Sequence, residues 1–127
     1  MEINEITGVV IGAAIKVHRA LGPGLLESAY EECLYQELTL RQTPVKRQYS
    51  LPIQYKGLHL DCGYRIDFLV ADIVVVELKA VEKVLPVHEA QLLTYLKLGD
   101  WQVGLIINFN VPVLKQGIHQ RVLNLKK

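Results

Sequence analysis

Residues 64–80, YRIDFLVADIVVVELKA, constrain the fold of this chain more than any other stretch. Two apolar runs rich in β-branched and aromatic residues flank Ala71-Asp72, which is the pattern of a β-hairpin. The second run is apolar from Ile73 to Val76, as expected of a strand buried on both faces. Asp67, Glu77 and Lys79 are set into these strands, and charges in such surroundings need partners. Glu77 and Lys79 are two residues apart, so they point to the same face. Two readings are open. The charges form a strand-end salt bridge, or the carboxylates hold a hard cation such as Mg²⁺. In the second case Lys79 positions a cation-activated water or stabilises developing charge.

Strand parity sharpens the second reading. A two-residue loop would pair Val70 with Ile73 and send Asp67 and Glu77 to opposite faces. A three-residue loop, Ala71 to Ile73, pairs Val70 with Val74 and sets Asp67 against Glu77. An odd-length connection is therefore expected, or a bulge with the same effect.

At 127 residues, half of them apolar, residues 1–127 read as a single globular domain. The formal net charge of +1 gives no bulk attraction to nucleic acid, so phosphate contacts must come from a local patch. Cys33 and Cys62 form no disulfide framework, which suits reduced thiols in a cytoplasmic protein. The four histidines lack zinc-like spacing, and the apolar segment from Gly8 to Val17 is too short to span a membrane.

Ile3, Ile6, Val10, Ala13, Val17 and Leu21 make one helical stripe over roughly residues 3 to 20, ended by Gly22-Pro23-Gly24. His18 reads as a cap or surface histidine in its last turn. A second helix is expected from near Pro23 to about Leu40, with Leu26, Ala29, Cys33 and Leu38 inward and Glu27, Tyr30 and Glu31 sharing a face. Residues 47–55 alternate as a strand, with Pro52 favouring an edge position. Lys56-Gly57 turns, and Leu58 to Val70 reads as one long strand with a bend at Gly63. A third helix runs from Pro86 to about Leu98, carrying Leu92, Leu93 and Leu96 as its buried stripe and His88, Gln91 and Tyr95 as a second row. Residues 101–109 and 118–125 supply the last strands, and Lys126-Lys127 a frayed tail.

The spacing D-F-x(8)-E-L-K from Asp67 to Lys79 resembles the core motif of the PD-(D/E)XK nuclease superfamily. Gly24-Leu25-Leu26-Glu27-Ser28-Ala29-Tyr30 resembles the signature of its GxxExxY branch, and Gln91-Leu92-Leu93-Thr94-Tyr95 the Q-x-x-x-Y of several branches. Gly104 to Phe109 also looks like the GxxExxY family, so the resemblance runs along nearly the whole chain in order. It implies an α/β fold with a restriction-endonuclease-like core, a mixed sheet of about four to five strands flanked by three helices. It also implies a Mg²⁺- or Mn²⁺-dependent phosphodiesterase acting on DNA or RNA. Asp67 and Glu77 would ligate the metal, with the Leu78 carbonyl as a further ligand. Lys79 would orient the attacking water, Glu27 would hold a second cation or shape the first site, and Gln91 and Tyr95 would orient water or touch phosphate. His88 is a weaker candidate. The other function considered is a non-catalytic module, or a homodimer, that keeps the fold and binds nucleic acid or protein.

Overall fold

The structure, a computed structural model, describes residues 1–123. The expected end of the last strand and the Lys126-Lys127 tail lie outside the described residues.

Helix α1 spans Ile3–Leu21 and α2 Glu27–Leu40. Strands β1 (Val45–Ser50), β2 (Ile53–Tyr55), β3 (Leu58–Leu60), β4 (Arg65–Val70) and β5 (Val74–Lys79) follow. Helix α3 (Pro86–Gly99) then leads to β6 (Val103–Asn108), a 3₁₀ turn at Leu114–Gly117, and β7 (Ile118–Val122). Five strands form one mixed sheet in the order β1-β4-β5-β6-β7, and β2 and β3 make a separate hairpin. Among the described strands only β5 and β6 run parallel, as the crossover through α3 requires.

The apolar pattern of each element fixes the layers. Ile6, Val10, Ala13 and Val17 of α1 and Tyr30, Leu34 and Leu38 of α2 pack with Phe68, Val76, Leu78 and Leu105 on one side of the sheet. Leu92, Tyr95 and Leu96 of α3 pack with Leu69, Val75 and Ile106 on the other. Gly104 lets α3 approach closely, because a Cβ there would lie 2.7 Å from the Leu92 side chain.

Several sequence expectations change. Helix α2 starts at Glu27, not near Pro23. Gly22 and Gly24 adopt positive φ, and the Tyr30 hydroxyl holds their loop, donating to Gly22 O (2.6 Å) and accepting from Leu25 N–H (3.1 Å). Tyr30 is fully buried and stacks on Phe109, so of the three residues expected to share a face it is the one that enters the core. Leu26 is 76% exposed, and the inward stripe of α2 is Tyr30, Leu34 and Leu38.

The strand expected over 47–55 breaks at Leu51-Pro52, where proline has no N–H to donate and the Leu51 N–H goes to Tyr64 O instead. The long strand expected over 58–70 breaks at 61–64, where Gly63 takes φ +79° and donates its N–H to Asp61 Oδ1. His18 is buried, not at the surface, and its Nε2 lies 2.8 Å from Val111 O, tying α1 to the loop after β6.

Candidate active site

The hairpin register carries the site. Val70 pairs with Val74, Leu69 with Val75 and Phe68 with Val76, so the connection is the expected three-residue one. Ala71 and Asp72 both adopt positive φ within it. The ladder ends at Phe68–Val76, and beyond that pair the strands fork. Each acid then takes up a backbone N–H of the facing strand. The Glu77 carboxylate accepts from Asp67 N–H at 2.9 Å, and the Asp67 carboxylate accepts from Leu78 N–H at 2.8 Å. One buried and one half-buried acid thus replace the missing ladder bonds of Asp67 and Leu78, and neither N–H is orphaned.

The fork is matched by an irregularity in β1. Arg47 pairs with Phe68 and Tyr49 with Ile66, but Gln48, between them, has φ +49°. Alternation along β4 also slips here: Phe68 and Val70 pack against α1 and α2, whereas Ile66 joins the core under α3. The left-handed backbone of a non-glycine residue costs about 1–3 kcal/mol. In this strand it lets the Gln48 amide reach both Glu31 Oε1 (2.9 Å) and Asp67 Oδ1 (3.3 Å).

Neighbouring elements complete the surroundings. Glu27, the first residue of α2, accepts from Ala80 N–H at 3.3 Å, one residue beyond Lys79. Asn108, at the end of β6, is buried and brackets Val81, accepting its N–H at 3.1 Å and donating to its carbonyl at 2.9 Å. Because Lys79 pairs with Asn108 in the parallel ladder, this clamp fixes the exit of β5. Among the described residues no ion pair includes Lys79, so the strand-end salt bridge does not form. Its ammonium acts on the acids only at longer range, favouring the charged forms of Asp67 and Glu77.

Electrostatics follow from burial. Desolvation raises Glu77 to about 8, and the Asp67 charge pushes the same way. Asp67 is also raised, by desolvation first, against the lowering effect of its bonds from Leu78 N–H and Gln48. Burial and then Asp67 raise Glu31 as well. Tyr95 is raised by burial and by Glu77, Tyr64 and Asp67, so its phenol stays a proton donor at neutral pH.

Of the residues expected from sequence, Asp67, Glu77 and the Leu78 backbone meet at the fork, with Lys79 and Glu27 at its exit, and Tyr95 packs beside it in the cluster that holds Ile66. Gln91 is exposed and lines a cleft of about 200 Å³ with Tyr95. His88 is instead engaged at the start of α3, where its Nδ1 accepts Leu85 N–H at 3.0 Å. Gln48, Glu31 and Asn108 were not anticipated. The only signal for Asn108 was its place in the GLIINF strand, and no local pattern marks Gln48. The larger concavities lie along α1 and do not contain Asp67 or Glu77.

Among the described residues no three His, Cys, Asp or Glu side chains cluster closely enough to hold a metal ion, so Glu27 does not form a three-acid cage with the pair. The donor set still fits a hard cation that keeps several waters. Asp67 and Glu77 supply carboxylate oxygens whose charged forms are disfavoured without a counter-charge. The Leu78 N–H points to Asp67, and a strand residue presents its N–H and C=O on one side, so the Leu78 carbonyl opens to the fork too.

A family model of the PD-(D/E)XK nuclease superfamily matches residues 4–122. The chain belongs to that superfamily, whose fold is the α/β arrangement described above and whose nucleases generally use divalent metals. Membership supports a nuclease-type function with a nucleic-acid substrate. Comparison with curated proteins and with solved structures finds no significant match. No described helix is long and apolar enough to cross a membrane.

Proposed function

We propose that this protein is a Mg²⁺- or Mn²⁺-dependent phosphodiesterase that cleaves DNA or RNA, of the GxxExxY branch. The observation that carries the reading is the fork: a buried and a half-buried carboxylate, each bonded to the backbone of the other strand, with Lys79 next in β5 and in no ion pair with either. A structural ion pair would have brought Lys79 into contact.

Asp67, Glu77 and the Leu78 carbonyl would hold the cation, which supplies Lewis-acid polarisation of the phosphate and a more acidic bound water. The chain's own groups do the rest. Gln48 holds Asp67 in place through Oδ1, leaving the other oxygen shared with Leu78 N–H. Lys79, fixed by the Asn108 clamp, orients the attacking water and meets charge developing on the phosphate. Glu27 stands one residue beyond, where it shapes the site or reaches a cation through water. Tyr95, kept protonated, donates a hydrogen bond to water or to phosphate.

The deciding experiment is a cleavage assay on a panel of single- and double-stranded DNA and RNA, with Mg²⁺, Mn²⁺ or EDTA. Glu77→Gln and Lys79→Ala are expected to lose metal-dependent cleavage while keeping the wild-type far-UV circular dichroism spectrum. Lys79→Ala cleaving as fast as wild type would remove the catalytic assignment and leave a binding module.

A further inference from the structure

Beside the fork, away from α1 and α2, lies the cleft of about 200 Å³ formed by Ile53, Tyr64, Gln91, Thr94, Tyr95 and Leu98. Ligand pockets are commonly ~300–1,000 Å³, so this one is small: it has room for one flat ring system and not for a base pair. Its composition is uneven. Two phenol rings and two aliphatic side chains make the walls, and the Gln91 amide and Thr94 hydroxyl join the phenol hydroxyls as the hydrogen-bonding groups of a neutral lining. No lysine, arginine or carboxylate takes part, so it is not built for a phosphate.

Tyr64 is the unusual member. It is 44% exposed, yet its backbone is pinned: Leu51 N–H donates to its carbonyl at 2.9 Å, and the turn before it is set by Gly63 at φ +79°. An exposed aromatic ring on a fixed backbone presents a face at low entropic cost. Tyr95, which lines the cleft with it, is nearly buried and packs in the cluster that holds Ile66, the β4 residue next to Asp67, so the cleft lies on the α3 side of the fork.

We infer that this cleft receives one unpaired nucleobase of the substrate strand, and that the enzyme therefore acts on single-stranded nucleic acid. This rests on the nuclease reading and extends it to the substrate. The base would stack on Tyr64 and present its polar edge to Gln91 and Thr94, while its phosphate lies toward Lys79 and the acids. Base stacking on aromatic side chains tolerates every base, so the cleft selects strandedness more than sequence. A duplex reaches it only by unstacking a nucleotide, which costs binding free energy.

The test is fluorescence anisotropy with a labelled single-stranded oligonucleotide, the same strand in duplex form, and the same strand carrying abasic residues. Ca²⁺ replaces Mg²⁺, and gels confirm that the strand stays intact. The wild type is expected to bind the single strand at least about tenfold more tightly than the duplex. Tyr64→Ala is expected to lose about tenfold on the single strand, Tyr64→Phe to stay near wild type, and the abasic strand to bind wild type and Tyr64→Ala equally. Equal single-strand binding by wild type and Tyr64→Ala, or tighter binding of the duplex, overturns the inference. Metal-dependent cleavage by wild type that is lost in Lys79→Ala is scored separately. If it is present while Tyr64→Ala binds normally, the cleft fails and the nuclease reading stands. If wild type neither binds nor cleaves any strand, both fail.

Discussion

At the scale of single residues, Glu77 carries the sharpest consequence. Its folded-state value of about 8 lies above the ordinary 4.5, because burial and Asp67 disfavour its charge. A raised value means that the folded protein binds the proton more tightly than the unfolded chain. That contribution is complete below about pH 4.5, declines as pH rises, and is gone above about 8. Asp67 is shifted in the same direction. Thermal melts in EDTA are therefore expected to show a melting temperature that falls between pH 5 and 8. Glu77→Gln should flatten that slope and raise the melting temperature at pH 8, on the order of 5 °C. A wild-type melting temperature that is flat or rises over this range would mean that folding does not raise the proton affinity of these acids. The same residues show what a sequence can disclose. Asp67, Glu77 and Lys79 were legible because charge inside an apolar run needs an explanation. Gln48 was not, because its role depends on a left-handed backbone that no local signal announces. Asn108 was not, because its partner Val81 lies 27 residues away.

Among the elements, α2 is the one whose placement matters most to the site, and the sequence misread it. Tyr30 was grouped with Glu27 and Glu31 by spacing alone, whereas its ring enters the core and its hydroxyl ties down the loop that launches the helix. Helical spacing groups residues by angle; it does not say which group faces inward when the apolar stripe is weak. Tyr30→Phe keeps the stack on Phe109 and removes two hydrogen bonds. A loss of roughly 1–2 kcal/mol is expected in chemical denaturation. Because the first turn of α2 carries Glu27, cleavage should fall further than that stability loss explains. An activity equal to wild type would detach the helix start from the site. The 3₁₀ turn bears on the site as well. A Cβ at Gly117 would lie 2.0 Å from the Asn108 carbonyl oxygen. Gly117→Ala should cost about 1–3 kcal/mol by displacing the backbone at Asn108. Crossover helix α3 was legible nearly to the residue, since Pro86 opens it, and β6 to within two residues, since a run of buried aliphatics marks it.

For the whole molecule, the mixed sheet with helices on both faces was legible from the order of elements. The detached β2–β3 hairpin was not, since Pro52 reads as the mark of an edge strand and Gly63 as a bend, each inside a longer strand. Net charge supplies a prediction at this scale. With a formal +1, the chain attracts nucleic acid only through local cations, so binding is expected to be weak and strongly salt-dependent, each lost phosphate contact lowering the slope by about one. Affinity that is tight and flat across a salt series would indicate a non-electrostatic ligand. Divalent cation should also raise the melting temperature of wild type in proportion to its binding, and do so far less for Glu77→Gln.

The forked hairpin also bears on how such a chain could change over generations. Two acids held where their charges are disfavoured make the metal-free protein less stable than a neutral copy would be. A lineage released from catalysis would gain stability from a single substitution, glutamate to glutamine at 77, that keeps a side-chain oxygen to receive the Asp67 N–H. Drift would take that route readily, because the substitution keeps the size and shape of the side chain. On the proposed nuclease reading, a chain that keeps both acids, with Lys79 in no ion pair beside them, would be one in which chemistry is placed above durability.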